Sequence, residues 1–254
     1  MADTVIAVIP ARYASTRFPG KALAQIRGKA MIVRVLERVR QVRGISRVMV
    51  ATDDLRIVAA VHAAGGEAVM TRGEHSSGTE RMAELAESHI APLYLNVQGD
   101  EPLVEPAALE DLLAAMPVDE SGPAAAGMAT LATPLKDPLD AADPRVVKVV
   151  TDLAGNALYF SRAAIPVTRD AAEAAAAPGA RPAQWKHLGV YLYRRELLLA
   201  FPTMSPGRLE KLEQLEQLRL LEHGHRIRVV ETPHDTISVD VPGDVRRVEA
   251  ALRE

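Results

Sequence analysis

The sequence predicts an α/β fold with a doubly wound, mostly parallel mixed sheet and a smaller mixed β/α region attached to it. Short β-branched runs such as Val5–Ile9 do not alternate polar with apolar residues, which indicates strands buried on both faces. Segments with apolar residues at helical spacing separate these runs in the first half, as is typical of parallel sheets with crossover helices. In the second half several strands follow one another without full helices between them, which favours antiparallel or mixed pairing there.

The first half of the chain supplies the regular part of this sheet. Apolar residues at helical spacing predict the first crossover helix over residues 31–43. Asp53 and Asp54 stand where the cap of a second helix is expected, and Gly65-Gly66 stands where that helix should stop. The remaining elements predicted here are strands at Val5–Ile9, Val48–Ala51, Ala68–Met70 and Leu93–Val97, and a helix over Thr79–Ser88.

The second half is less regular. Arg208–Glu222 is predicted as one long helix, although its leucines recur every three residues and therefore drift around a helix of 3.6 residues per turn. Pro242–Leu252 is predicted as a closing helix, and the segments Pro117–Ala126 and Ala171–Ala183, rich in alanine, proline and glycine, as mobile loops. The strands predicted in this half are Met128–Ala132, Val147–Val150, Ala157–Phe160, His187–Tyr193 and Ile227–Val230.

The composition fits one domain over residues 1–254 and excludes several classes of partner. The net charge of −3 provides no bulk positive field that would attract nucleic acid or an anionic membrane. The chain has no cysteine, which excludes disulfides, thiolate nucleophiles and thiolate metal sites. No apolar run approaches the roughly 18 residues of a membrane span, and the N-terminus has no basic lead. We therefore predict a soluble, cytoplasmic protein that binds neither nucleic acid nor membrane.

A basic loop follows the first predicted strand directly. It carries Arg12, Arg17 and Lys21 within ten residues, together with small residues that allow backbone N–H groups to approach an anion. Because ligands of open α/β sheets collect at the carboxyl ends of strands, this loop is well placed to bind phosphate. Neither a Walker A loop nor a G-x-G-x-x-G sequence is present, which argues against P-loop and dinucleotide-binding proteins. The alternative, a solvated basic surface loop, stays open on charge alone.

Two aspartates stand at or just beyond the ends of apolar, strand-like runs far apart in the chain. Asp100 follows the strand Leu93–Val97, and Asp240 ends the run Ile237–Asp240. Mg²⁺ is commonly held by only one or two protein carboxylates together with phosphate and water oxygens. For either aspartate taken alone, a place in a turn or at a helix cap is a commoner role than metal binding. Likewise, Ser77 and Thr79 could form a plain capping box or a helix start that faces a ligand.

Several longer motifs make the prediction of function more specific. They are VIPARYASTRFPGKAL, MTRGEHSSGTERMAE, LNVQGDEPLVEP, VKVVTDLAGNALYFSRAAIP, HLGVYLYRRELL, LEQLEQLRLLEHGHRIRV and SVDVPGDVRRVEA. On these motifs, which cover nearly the whole chain in order, the chain resembles the cytidylyltransferases that activate 3-deoxy-manno-octulosonate (Kdo) for lipopolysaccharide synthesis. The segments SGTER, YFSR and HLGVYLYR are more specific to the Kdo enzymes than the others.

The resemblance implies a nucleotide-diphospho-sugar transferase-like sheet and a role for each part of the chain. It assigns nucleotide binding to about 1–110, sugar binding and dimerisation to about 127–225, and a closing strand and helix to 226–254. It implies a catalytic set of Arg12, Arg17, Lys21, Asp100 and Asp240, of which Asp100 and Asp240 would bind Mg²⁺. The nucleotide-binding set would be Ala11, Arg12, Lys21, Arg72, Ser77, Thr79 and Gln98, and the sugar-binding set Arg17, Gln98, Arg162, His187, Tyr191, Glu216 and Gln217.

The expected reaction is Mg²⁺-dependent transfer of CMP from CTP to the anomeric hydroxyl of Kdo, with release of pyrophosphate, by a homodimer. Three alternatives stay open. The sugar could be another acidic one, such as a sialic acid or an amino-substituted Kdo. The protein could be a nucleotide-sugar glycosyltransferase, although the usual Asp-x-Asp metal motif is absent. Finally, it could be a nucleotide-binding module without catalytic activity.

Overall fold

A computed structural model describes residues 4–15, 17–75, 77–118, 125–167, 169 and 184–252. The first half alternates strands and helices as predicted, with a small hairpin after the first strand. Its elements are β1 (Val5–Ala11), β2 (Gln25–Ile26), β3 (Lys29–Ala30), α1 (Met31–Val39), β4 (Arg47–Thr52), α2 (Leu55–Ala63), β5 (Glu67–Met70), α3 (Gly78–Ser88), β6 (Leu93–Val97) and α4 (Pro106–Ala114).

The second half contains longer strands and shorter helices. The long strand β10 follows the two strands β8 and β9 in the chain. The elements are β7 (Met128–Pro134), α5 (Pro138–Ala142), β8 (Lys148–Thr151), β9 (Ala157–Ser161), β10 (Trp185–Arg194), α6 (Arg195–Ala200), α7 (Arg208–Glu213), α8 (Gln217–Glu222), β11 (Ile227–Glu231) and α9 (Pro242–Ala251).

One nine-stranded sheet organises the molecule. Seven of its strands run in the order β11-β7-β10-β6-β1-β4-β5, while β8 pairs with β10 and β9 pairs with β8. The neighbours β6, β1, β4 and β5 are parallel, whereas β10 is antiparallel to both β6 and β7. The prediction of a doubly wound, mostly parallel mixed sheet with antiparallel additions in the second half is therefore confirmed.

Hydrophobic clusters cover both faces of this sheet. Alternate residues of β1 belong to different clusters: Ala7 and Ile9 pack with α1 and α4, while Ile6 and Val8 pack with α3 and α6. All seven residues of β1 are buried, as expected for a central strand covered on both sides. Because β1 and β6 are parallel neighbours, the loops that follow them emerge at the same edge of the sheet.

The prediction of one continuous helix over Arg208–Glu222 is wrong. The segment forms two short helices, α7 and α8, because Gln214 adopts a left-handed conformation with a φ of 53°. A leucine every third residue cannot stay on one face of a helix, and the break lets Leu215 and Leu218 both reach the core. A buried ion pair links the two helices, with Arg219 Nε 2.8 Å from Glu210 Oε2.

Two loop predictions fall partly or wholly outside the described residues. Ala171–Ala183 lies outside the described residues, and of Pro117–Ala126 only the two ends are described. Within the described ranges, no helix combines the length and the apolar character needed to cross a membrane. The predicted cytoplasmic location stays a prediction.

Candidate active site

A cavity of about 320 Å³ opens at the edge of the sheet where β1 and β6 end. The loop after β1, the loop after β6 and the start of α3 form most of its wall. Nine of the residues singled out from the sequence line this cavity: Ala11, Arg12, Arg17, Lys21, Ser77, Gln98, Asp100, Glu216 and Asp240.

The structure brings the two predicted metal-binding carboxylates together around one lysine. Lys21 Nζ lies 2.5 Å from Asp100 Oδ2 and 3.7 Å from Asp240 Oδ1. Arg17 Nη2 lies 3.1 Å from the same Asp240 oxygen. A backbone hydrogen bond of 3.0 Å from Val239 N to Asp100 O holds the two segments side by side. Residues from opposite ends of the chain therefore form one charged cluster beside the cavity.

The loop between β1 and β2 is folded by its own residues. Gly20 N donates to Tyr13 O at 3.0 Å, and Gly20 has a φ of 71°, a conformation that favours glycine. The Tyr13 ring also lies 3.3 Å from the Arg56 guanidinium carbon, in a cation–π contact. Tyr13, which received no role from the sequence, thus anchors the loop that carries Arg17 and Lys21.

Behind Asp100, a buried acidic residue fastens the segment that carries Asp240. Thr236 Oγ1 donates to Glu101 Oε2 at 2.6 Å. Burial, with a smaller contribution from Asp100, raises the pKa of Glu101 to about 8. On the same segment, Asp235 Oδ1 accepts a hydrogen bond of 2.7 Å from Lys186 Nζ at the start of β10. Glu101 was not singled out from the sequence, where its only signal was its position next to Asp100.

The donor set at this cluster suits magnesium. Among the described residues no three histidine or carboxylate side chains converge on one point, so no site made wholly of protein ligands is present there. Asp100 and Asp240 offer two carboxylates that both reach one ammonium group, in a cavity lined by cationic side chains. Mg²⁺ usually binds one or two carboxylates together with substrate phosphates, so the residues present fit it.

The first turn of α3 forms another wall of the cavity. Ser77 caps the helix, since its Oγ accepts a hydrogen bond of 3.2 Å from Glu80 N. A Cβ added at Gly78 would lie 3.1 Å from Pro10 Cγ and 3.6 Å from Gln98 Oε1, so a side chain here would crowd the cavity. Thr79 is buried and hydrogen-bonds Glu216, whose pKa is raised by burial, instead of lining the cavity.

Arg81 and His75 also line this wall, and the sequence analysis assigned neither to the site. Arg81 is 3% exposed, and its Nη2 lies 3.0 Å from Asp53 Oδ2 at the end of β4. His75 Nε2 hydrogen-bonds Glu84 on α3. The side chain of Arg72, a predicted nucleotide contact, is exposed outside the cavity wall, with its Nε 3.5 Å from a Glu84 oxygen.

Three of the predicted sugar-binding residues, His187, Tyr191 and Gln217, lie behind the cavity on β10 and α8. Thr130 Oγ1 donates to Val190 O at 2.7 Å and therefore accepts from His187 Nε2, at 2.9 Å. This pairing leaves His187 Nδ1 as an acceptor, and burial lowers the pKa of the ring to about 3. Tyr191 Oη lies 3.4 Å from Gln217 Oε1.

Arg162, another predicted sugar-binding residue outside the cavity lining, is held by carbonyl groups at the end of α7 and after α5. Its Nε donates to Glu213 O at 2.7 Å and its Nη1 donates to Pro144 O at 2.9 Å. The Glu213 carboxylate accepts from Ser161 Oγ at 2.6 Å and from Arg162 N at 2.9 Å. The guanidinium is thus fixed in place by carbonyl groups. Substrate contacts of Arg162, His187, Tyr191 and Gln217 stay predictions, as do those of Arg72 and Thr79.

Comparison with known proteins identifies the relatives of this chain. The sequence model of a family described as Cytidylyltransferase matches residues 6–227. A 3-deoxy-manno-octulosonate cytidylyltransferase of Syntrophotalea carbinolica is 51% identical over 251 residues, which cover 98% of this chain and 99% of that protein. The protein of the same name from Geobacter sulfurreducens is 49% identical over 253 residues, which cover 98% of this chain and 99% of its own length.

Solved structures agree. A structure of CMP:2-keto-3-deoxy-manno-octonic acid synthetase complexed with CTP is 43% identical, with a TM-score of 0.89 over 98% of both chains. A 4-diphosphocytidyl-2C-methyl-D-erythritol synthase of Anaerococcus prevotii is 14% identical, with a TM-score of 0.63 over 98% of this chain and 97% of that one, and shares the fold alone. With matches of this length to both sequences and structures, and with the predicted charged cluster assembled at the sheet edge, the chain belongs to the 3-deoxy-manno-octulosonate cytidylyltransferase family.

Proposed function

We propose that this enzyme transfers CMP from CTP to the anomeric hydroxyl of Kdo, forming CMP-Kdo and pyrophosphate. The observation that carries the proposal is the cluster of Lys21, Asp100 and Asp240 beside a cavity lined by arginines. The hydroxyl oxygen of Kdo forms a bond to the α-phosphorus of CTP and loses its proton to solvent, while the bond from that phosphorus to the bridging oxygen of pyrophosphate breaks. No covalent enzyme intermediate is needed, so positioning and charge neutralisation supply the rate enhancement.

The basic loop would bind the triphosphate. At about 4 Å and an effective dielectric constant near 20, a cation–phosphate pair gains up to about 4 kcal/mol before desolvation. Arg12 is an exposed cation at the cavity, and Lys21 lies at its base between the two carboxylates. Lys21 would turn towards the phosphates when CTP binds. At the first turn of α3, Gly78 has no side chain to crowd the cavity, which leaves room for the nucleoside beside Ser77.

Asp100 and Asp240 would hold Mg²⁺ beside the α-phosphate. When bound, the ion supplies charge neutralisation on phosphate and acidification of the attacking hydroxyl. The chain itself fixes the backbone that carries Asp240, since Asp244 Oδ2 accepts from Asp240 N and from Val241 N, both at 3.0 Å. The sugar would extend from there towards His187, whose neutral ring offers an acceptor to a hydroxyl group.

A direct test measures pyrophosphate released from CTP, Mg²⁺ and Kdo by the purified protein. We expect Asp100→Asn to reduce turnover by at least about 100-fold, because the metal site loses one of its two carboxylates. Asp111→Asn, on the exposed face of α4, is the matched control and should keep full activity. Full activity of Asp100→Asn in a folded protein contradicts the metal role, and an inactive wild type contradicts the proposed function.

The identity of the acidic sugar can be tested in the same assay. Kdo, an amino-substituted Kdo and a sialic acid would be compared as the sole acceptor and then in competition. We expect the highest kcat/KM with Kdo. A higher kcat/KM for either of the other sugars would contradict the assignment of Kdo as the substrate but would still support cytidylyl transfer.

We infer a homodimer built on the middle strands. Among the described strands β9 pairs only with β8, and it exposes Leu158, with Leu153 exposed on the preceding turn. Exposed apolar side chains on an edge strand favour association with a second copy. Light scattering after gel filtration should give a dimer, and Leu158→Lys should shift it towards the monomer. A monomeric wild type contradicts this inference.

A further inference from the structure

Asn96 on β6 is a buried amide that uses only part of its hydrogen-bonding capacity. The residue is fully buried, and its Oδ1 accepts a hydrogen bond of 3.3 Å from Gln98 Nε2. Its Nδ2 finds no hydrogen-bond partner among the described residues. A buried donor without a partner destabilises the folded protein, so a residue kept only for stability would be apolar here. This mismatch indicates a role beyond packing.

The neighbours of Asn96 belong to the proposed sugar side of the site. In the antiparallel pair of β6 and β10, Asn96 lies opposite Tyr191, so the two side chains share one face of the sheet. Tyr191 Oη contacts Gln217, whose own Nε2 is also a buried donor without a partner in the described chain. Two unpaired amide donors therefore flank the tyrosine.

The hydrogen bond to Asn96 also fixes the orientation of Gln98. Gln98 lines the cavity, and its amide can present either an oxygen or an NH₂ group there. Because Nε2 donates to Asn96, the oxygen is the end left for the cavity. This oxygen faces the first turn of α3, where a Cβ at Gly78 would lie 3.6 Å from it. With a residue at 96 that cannot accept, the amide could rotate and present a donor instead.

We propose that Asn96 is a positioning residue that locks Gln98 with its oxygen towards the substrates. The inference rests on the proposed function and deepens it, since it assigns the orientation of a group between nucleotide and sugar. Misplacing a substrate-positioning group by about 1 Å can cost about 100-fold in rate. Asn96→Leu and Asn96→Ala should therefore lower kcat/KM for Kdo by about 10- to 100-fold.

Stability supplies a readout that separates positioning from packing. Leucine has a similar volume and removes the unpaired donor, so Asn96→Leu should show a urea midpoint equal to or above that of the wild type. Thr133→Val is the matched control, because Thr133 Oγ1 on β7 is likewise buried without a partner among the described residues. It should also keep or raise the midpoint, but with kcat/KM unchanged.

A double-mutant cycle completes the test. In a Gln98→Ala background, Asn96→Leu or Asn96→Ala should change kcat/KM by less than about two-fold, because Asn96 acts through Gln98. The inference is overturned if the full loss persists without Gln98, or if the Asn96 variants lose stability while their kinetics stay unchanged. The wild type is assayed first with CTP and Kdo. Its inactivity would refute the proposed function, whereas an active wild type with independent effects at 96 and 98 would refute only this inference.

Discussion

The buried ring of His187 should make this protein less stable on acidification. Burial lowers the pKa of His187 to about 3 in the folded state, whereas histidine in an unfolded chain ionises near pH ~6.5. Between these two values the unfolded state binds more protons than the folded state. The free energy of unfolding therefore falls as the pH falls below about 6.5, and this contribution is fully present above that pH.

The size of the effect follows from the same two values. One pH unit within the window corresponds to about 1.4 kcal/mol, so acidification from pH 7 to pH 5 should cost about 2 kcal/mol through this residue. His187→Gln keeps an N–H donor near Thr130 Oγ1 and removes the titrating ring. The stability advantage of the wild type over His187→Gln should therefore shrink by about 2 kcal/mol between pH 7 and pH 5.

Urea unfolding at half-unit pH steps measures this difference by linear extrapolation. His62→Gln on α2 is the control, since it makes the same change at a position where the ring is exposed to solvent. Parallel curves for the wild type and His187→Gln would refute the reasoning. They would mean that the ring takes up a proton in the folded state at ordinary pH.

Three further substitutions test the packing around the site. Gly99→Ala would place a Cβ 3.0 Å from the backbone oxygen of Pro10, so we expect a loss of about 1–3 kcal/mol in thermal unfolding. Arg219→Met leaves the buried carboxylate of Glu210 unpaired and should lower the free energy of unfolding in urea by about 3–5 kcal/mol. Replacing both residues by methionine should recover most of this loss. Gln214→Gly removes the side chain from a left-handed residue and should raise the free energy of unfolding by about 1 kcal/mol; an unchanged urea midpoint would count against strain there.

Most of the fold could be predicted because the central strands can be recognised from their own residues, without knowledge of their tertiary contacts. β1 and β6 are continuous apolar runs, and such runs have few alternatives to a buried strand. The helix over Arg208–Glu222 was predicted wrongly because its break depends on tertiary contacts: Glu213 at the end of α7 binds Ser161 and Arg162 at the end of β9. α4 was missed although Pro106 at its first position is a recognised start signal.

Part of the candidate site could likewise be predicted from the sequence, and part could not. The meeting of Asp100 and Asp240 was predicted because each aspartate follows a strand-like run, but in the structure only Asp100 follows a strand. Residues 237–240 form no strand, and the hydrogen bond from Val239 N to Asp100 O holds them beside Asp100. Arg81 and Glu101 could not be assigned from sequence, since their surroundings are set by Asp53 and Thr236, which come from remote segments. Spacing along a chain does not encode the partners of a buried charge.

The segment that carries Asp240 lies outside the sheet. β11 ends at Glu231, and the described residues after it form no further strand. Hydrogen bonds such as those from Val239 N to Asp100 O at 3.0 Å and from Arg27 N to Glu249 Oε1 at 2.8 Å hold this segment to the rest of the molecule. Local opening of this segment would separate the acidic pair while the sheet stays paired, so the site can be lost at a lower free energy than the fold.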